Sequence, residues 1–78
     1  MSEILERIDA TPEVLHGKAR IKGTRIAVYM ILEMLAGEYT IEDILKEYPQ
    51  LTREDIKACL EYAAVNAREE VFPLEANL

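Results

Sequence analysis

A chain of 78 residues with a formal net charge of −6 and 50% hydrophobic residues is sized for one small folded domain, not a disordered segment. Its single cysteine excludes an internal disulfide, and no apolar run approaches the roughly 20 residues that a membrane-spanning helix requires. Because no hydrophobic N-terminal stretch of signal-peptide length is present, we expect a cytoplasmic protein with no membrane contact.

The charge is unevenly distributed along the chain. Residues 1–15 carry a net charge of −3, residues 16–25 carry +4 without a single acid, and residues 26–78 carry −7. A protein this acidic is poorly suited to binding a polyanion through bulk charge. Any nucleic-acid contact would therefore depend on the basic segment or on a few placed residues.

Residues 1–25 are predicted to form a β ribbon and a turn. Ile4 and Ile8 flank a first extended run, and residues 18–22 form a second that ends at Gly23. We expect the two runs to pair as a small antiparallel ribbon. Such a ribbon is marginal alone, so it must lie on the helices to persist.

Helix 1 is predicted over residues 27–36, because apolar residues recur there at helical spacing. Gly37 follows where a left-handed cap is favoured. The helix is apolar almost all round, and a chain this small has little to cover a second face. We therefore expect a homodimer with helix 1 at the interface; the alternative is that the ribbon covers that face within one chain. The candidate interface residues are Tyr29, Met30 and Met34.

Helices 2 and 3 are predicted over residues 41–48 and 53–70. Both open with Thr-x-Glu-Asp-Ile, in which Thr40 or Thr52 caps the helix and the acid three positions later returns the hydrogen bond. The three-residue linker between them has the length of a helix-turn-helix connection. The residues of helix 3 predicted to face inward are Ile56, Leu60, Ala63, Ala67 and Val71.

No catalytic or metal-binding constellation is evident in the sequence. One histidine and one cysteine cannot supply the paired ligands of a zinc site, and Cys59 lies among core positions. A phosphate-binding loop would need a lysine directly before the hydroxyl residue, whereas Gly23 precedes Thr24. The acidic pairs at the helix starts are explained by capping. We therefore predict no enzymatic activity, no cofactor and no metal.

Residues 17–28 (GKARIKGTRIAV) and 48–56 (YPQLTREDI) resemble a prokaryotic family catalogued as a domain of unknown function, family 433, which includes antitoxin-like proteins of the VapB type. The similarity runs from about Ile8 to Ala64. Family members typically read Gly-Lys/Arg-Pro-x-Ile-x-Gly-Thr-Arg-Ile-x-Val, and here Ala19 replaces the proline. The resemblance implies a mainly α, three-helix, homeodomain-like or helix-turn-helix domain preceded by a short β ribbon.

Within this motif the residue types suggest specific roles. We expect Gly23 to adopt a conformation closed to other residues and Thr24 to cap the entry to helix 1. Arg25 offers a fork of donors suited to a carboxylate from the helices, with phosphate or partner contact as the alternative.

The resemblance implies a single antitoxin-like domain over residues 1–78, with a PIN-like ribonuclease toxin as partner and its own promoter DNA as a possible second target. The alternative is a dimeric protein-interaction module without DNA binding. In either case the apolar tail, residues 71–78, offers Phe72 and Leu74 as partner-binding candidates. Candidate DNA-binding residues lie in the basic ribbon and around the start of helix 3: Lys18, Arg20, Lys22, Arg25, Gln50, Thr52, Arg53 and Lys57.

Overall fold

The computed structural model of the chain describes residues 6–10 and 15–69. Within those ranges the protein is mainly α-helical, with three helices preceded by a short antiparallel ribbon, as predicted. The elements are β1 (Ile8–Asp9), a 3-10 turn (Leu15–Gly17), β2 (Arg20–Ile21), α1 (Val28–Ala36), α2 (Ile41–Glu47) and α3 (Arg53–Glu69).

The ribbon pairs β1 with β2, placing Ile8 opposite Ile21 and Asp9 opposite Arg20. The predicted pairing is confirmed, but each strand is only two residues long. Residues 6 and 7 are helical instead of extended, and the start of the expected run lies outside the described residues. A ribbon this short persists because both of its isoleucines are buried in the core.

The turn between β2 and α1 depends on two residues of the sequence motif. Gly23 has φ +81°, the left-handed conformation expected of it. The Thr24 hydroxyl donates to the Ile21 carbonyl at 2.7 Å and accepts from the Ile26 N–H at 2.9 Å. Thr24 therefore closes the turn and does not cap the helix as predicted. The N-cap is Ala27, which makes no side-chain capping bond.

α1 ends at Ala36 as predicted, but the left-handed residue after it lies one position later than the predicted Gly37. Gly37 has φ −87°, whereas Glu38 has φ +75°. The Glu38 N–H donates to the Leu35 carbonyl at 3.1 Å, and the Tyr39 N–H donates to the Met34 carbonyl at 3.0 Å. This is the pair of bonds of a Schellman motif, in which the left-handed position belongs to Glu38. These two bonds satisfy the Met34 and Leu35 carbonyls at the end of the helix.

The predicted capping boxes are present at α2 and α3. The Asp43 N–H donates to the Thr40 hydroxyl at 3.0 Å, and the Thr40 N–H donates to Asp43 at 2.9 Å. The Asp55 N–H and the Thr52 N–H make the matching bonds at 3.3 Å and 2.9 Å. Because each cap needs only residues three apart, both could be predicted from sequence. α2 ends at Glu47, ahead of the proline, as expected.

The core is formed where the three helices and the ribbon meet. Ile31 of α1, Ile44 of α2 and Ile56 of α3 are fully buried, and Cys59 is buried beside them as a small hydrophobic residue, as predicted. No helix within the described ranges is both long and apolar enough to span a bilayer.

The inward face of α3 is rotated relative to the prediction. Ile56 and Cys59 are buried as expected, but Leu60 is 44% exposed and Ala67 is exposed, while Ala58 is buried instead. Ala63 is half-buried, and Val71 lies outside the described residues. The prediction placed the large apolar side chain of Leu60 in the core. In the structure the buried face of α3 begins with the carboxylate side chain of Asp55.

That carboxylate belongs to Asp55, which is buried and links α3 to the start of the chain. The Arg7 guanidinium donates to Asp55 at 3.1 Å, and the Lys22 N–H donates to the Arg7 carbonyl at 2.7 Å. Asp55 is therefore both the capping residue of α3 and the acceptor that holds the N-terminal segment. A buried carboxylate is tolerated because donors satisfy it on both oxygens.

Asp55 and Asp43 form a matched pair for testing this role. Asp55→Ala removes a cap and a charge-assisted bond and leaves Arg7 without this partner, so we expect the free energy of unfolding to fall by about 2–3 kcal/mol. Asp43→Ala removes an exposed cap alone and should have a smaller effect. Urea denaturation followed by circular dichroism measures both. Equal losses in the two variants would contradict a linking role for Asp55.

Candidate functional site

An open groove of about 370 Å³ lies where the segment before β2, the first turns of α1 and the middle of α3 meet. The Val28 N–H donates to the Ala19 carbonyl at 3.0 Å, which holds the segment before β2 against the start of α1. We call this the tyrosine groove. Its lining residues are Lys18, Ala19, Val28, Tyr29, Leu32 and Tyr62.

The tyrosine groove combines an apolar lining with one cation. The Lys18 ammonium lies 5.8 Å from the centre of the Tyr29 ring, within the range of a cation–π contact. Val28 is buried in the core and Tyr62, which is half-buried, packs against it, so the groove lies directly over the core. The volume is that of a small binding pocket. The groove is therefore suited to an apolar side chain accompanied by a negative charge.

The structure separates the four basic residues of the ribbon. Arg20 is half-buried and donates to Asp9 at 2.9 Å and to the Thr24 carbonyl at 2.7 Å, so it stabilises the ribbon. Lys22 and Arg25 are exposed at the turn, while Lys18 lines the groove. Arg25 was predicted to contact a carboxylate of the helices, but it makes no ion pair within the described residues; the ion pair of this segment joins Arg20 to Asp9 of the ribbon.

The candidates around the start of α3 are all exposed, but two of them are engaged. The Thr52 hydroxyl accepts the capping bond from Asp55. The Arg53 guanidinium donates to Glu42 across the α2–α3 pair. Gln50 and Lys57 remain exposed on either side. The four candidates therefore lie together in residues 50–57, where Arg53 is paired with Glu42 of α2.

Two carboxylates at the start of α2 have pKa values below the usual range. Hydrogen bonds from its own backbone N–H and from Arg53 lower the pKa of Glu42. The Thr40 backbone N–H, followed by the Thr40 hydroxyl, lowers the pKa of Asp43. Both carboxylates are therefore ionised at neutral pH.

The three residues predicted for a dimer interface do not share one face. Tyr29 is exposed and lines the groove, whereas Met30 is half-buried and Met34 packs against the core. Residues 29 and 34 are five apart, which places them about 140° apart around the helix. Phe72 and Leu74, the predicted partner-binding residues, lie outside the described residues.

The thiol of Cys59 is not available as a nucleophile. Cys59 is fully buried, and burial, together with the nearby Asp55 charge, raises the pKa of its thiol to about 12. A thiol in that state is a poor nucleophile. Across residues 6–10 and 15–69, no cluster of three or more histidine, cysteine or acidic side chains could hold a metal ion.

Sequence analysis did not identify the tyrosine groove. Tyr62 lies 33 positions after Tyr29, and no local pattern shows that the two residues line one groove. The available signal was the polar tip and apolar body of each tyrosine, which is typical of binding surfaces. Recognising the site required the packing of α3 against α1.

Comparison with known proteins places the chain in one family. Residues 8–63 match the family described as "Protein of unknown function (DUF433)". A crystal structure of a DUF433 member from Anabaena variabilis ATCC 29413 has 35% sequence identity and a TM-score of 0.76, over 81% of this chain and 62% of that one. The uncharacterized protein y4eO of Sinorhizobium fredii (strain NBRC 101917 / NGR234) is 31% identical over 70 residues, which is 86% of this chain and 32% of that protein.

The chain therefore spans about a third of the length of the curated relative and less than two thirds of the solved one. The family match covers most of the described residues, and the solved member shares the arrangement of helices and ribbon. The chain belongs to the DUF433 family of proteins of unknown function.

Proposed function

We propose that this chain is a non-enzymatic, cytoplasmic, antitoxin-like protein whose helical surface binds a basic toxin partner of the PIN-like ribonuclease type. The antitoxin assignment follows from the resemblance of residues 17–28 and 48–56 described above. The observation that carries the proposal is the acidic surface of the helices.

Residues 26–69, which contain α1 to α3, carry nine acidic and four basic residues, a net charge of −5. A surface of this sign repels nucleic acid and attracts a basic protein. A ribonuclease needs basic residues to hold its RNA phosphates, so an acidic partner can compete for that surface. Six exposed carboxylates contribute to it: Glu33, Glu38, Glu42, Asp43, Glu47 and Glu54.

Glu42 and Asp43, whose pKa values are lowered, keep their negative charges near neutral pH. A carboxyl group with a depressed pKa stays ionised until the pH falls well below neutral. The negative surface at the start of α2 is therefore constant across the pH range of a cytoplasm. Binding of a basic partner there should depend on salt more than on pH near neutrality.

The proposal is tested with the product of the neighbouring gene, co-expressed and co-purified by size exclusion. Two exposed acids that take no part in capping, Glu33 and Glu47, are reversed together as Glu33→Lys/Glu47→Lys. We expect the dissociation constant for the ribonuclease partner to rise about tenfold, because attraction becomes repulsion at two positions. Isothermal titration calorimetry at low and high salt measures the change.

The control reverses two exposed bases on α2 and α3, Lys46→Glu/Lys57→Glu. This variant makes the surface more acidic and should bind the partner at least as tightly as the parent chain. The proposal is overturned if the two proteins do not co-elute, or if the acid reversal leaves the dissociation constant unchanged.

DNA binding is the second candidate function, favoured by exposed basic side chains at two places. Lys22 and Arg25 extend from the turn of the ribbon, and Lys57 lies on the exposed side of α3. Ribbon turns and helix-turn-helix units both place such residues against DNA. Two further candidates, Arg20 and Arg53, form ion pairs with Asp9 and Glu42.

If the ribbon turn contacts phosphate, Lys22→Ala/Arg25→Ala should weaken binding to the promoter fragment for all sequences alike. Two lost phosphate contacts should reduce the salt slope of the binding constant by about 2. Fluorescence anisotropy at several salt concentrations gives that slope. Arg20→Ala is unsuitable as a control because it would disturb the ribbon, so Lys46→Ala on α2 is used. An unaltered slope in the double variant counts against DNA contact at the turn.

A further inference from the structure

Two exposed apolar side chains lie beside Tyr62 and are not covered within the described chain. Tyr29 is 48% exposed on the α1 side of the tyrosine groove. Val65 is 41% exposed and follows Tyr62 by three residues, so the two are neighbours on the surface of α3. An apolar groove with large exposed side chains beside it is typical of a surface that binds another protein.

The groove also has unpaired charges of both signs next to it. Lys18 is exposed and contacts the Tyr29 ring, and it makes no ion pair with any residue that the structure describes. Glu61 lies four positions before Val65, so the two are neighbours on the surface of α3; it is half-buried and likewise has no ion-pair partner in that part of the chain. A molecule bound in the groove could therefore form one ion pair with Lys18 and another with Glu61.

We propose that a second copy of this chain occupies the tyrosine groove. A two-fold contact requires a surface that carries its own complement. This surface does so in two ways: the groove can receive an exposed apolar side chain, and the base Lys18 can pair with the acid Glu61. A two-fold axis near Tyr62 sets Lys18 of each chain against Glu61 of the other and covers Tyr29 and Val65 in both.

The two-fold contact accounts for features that a foreign apolar segment would leave unexplained. An apolar peptide would fill the groove, but it would not by itself pair both Lys18 and Glu61 or cover Val65. The proposal goes beyond toxin binding, because it concerns the chain alone and is tested at residues that the toxin-binding variants leave unchanged. It also places the interface at Tyr29 and α3, without Met34, which packs against the core.

The charge pairing is tested by reversal and exchange. Lys18→Glu places two acids together at each symmetric contact, and Glu61→Lys places two bases together. We expect each single variant to raise the dimer dissociation constant about tenfold or more, and the double variant Lys18→Glu/Glu61→Lys to restore it. Sedimentation equilibrium of the purified chain, with no partner or DNA present, gives the constants. Thermal unfolding by circular dichroism confirms that each variant is folded.

The apolar contact is tested with two pairs of equally exposed residues. Tyr29→Ser should weaken the dimer, whereas Tyr39→Ser should not, because Tyr39 is 47% exposed but lies in the loop after α1. Val65→Ser should weaken it, whereas Leu60→Ser should not. Leu60 is 44% exposed and lies about 140° from Val65 around α3.

The proposal is overturned if the parent chain sediments as a monomer at every concentration. It is equally overturned if Tyr39→Ser or Leu60→Ser weakens the dimer as much as its matched variant, or if the charge exchange fails to restore association. Because none of these measurements uses the ribonuclease, loss of the dimer and loss of toxin binding are separate results.

Discussion

The buried carboxylate of Asp55 sets the arrangement on which the other features depend. It accepts from the Thr52 N–H at 2.9 Å and from Arg7 at 3.1 Å, so it begins α3 and fastens the N-terminal segment to it. A buried carboxylate is costly without hydrogen-bond donors. Because Arg7 and the Thr52 N–H supply those donors only when Asp55 faces inward, they favour this rotation of α3 about its axis. With Asp55 inward, Cys59 and Tyr62 follow on the same stripe, at four and seven positions later. Tyr62 then completes the groove.

Charge is separated between the ribbon and the helices, and internal pairing strengthens that separation. Arg20 is engaged by Asp9 and Arg53 by Glu42, which leaves the ribbon turn as the exposed basic region and the helices as the acidic one. The tyrosine groove lies where the two regions adjoin, with Lys18 on its ribbon side. The acid proposed to meet the second copy, Glu61, is not among the six exposed carboxylates proposed to attract a protein partner.

The sequence by itself determined the elements whose causes are local. Both capping boxes, including Thr40 with Asp43, need residues only three apart, and the structure has them as predicted. Gly23 adopts the left-handed conformation that its place in the motif requires. Periodicity and composition also predicted the three helices to within one residue at each end, and the burial of Cys59. The motif over residues 17–28 was specific enough to identify the family.

Only the tertiary structure decided which faces meet. The local pattern predicted that Leu60 faces the core, since a hydrophobic stripe ordinarily does. In the structure Leu60 is exposed and Asp55 is buried, with a long-range hydrogen bond from Arg7. The left-handed residue after α1 is Glu38 because two backbone bonds favour that position over the preceding glycine. The groove joins Lys18 to a tyrosine more than forty residues away. Sequence periodicity carries no information on such contacts, because they depend on how separate elements pack.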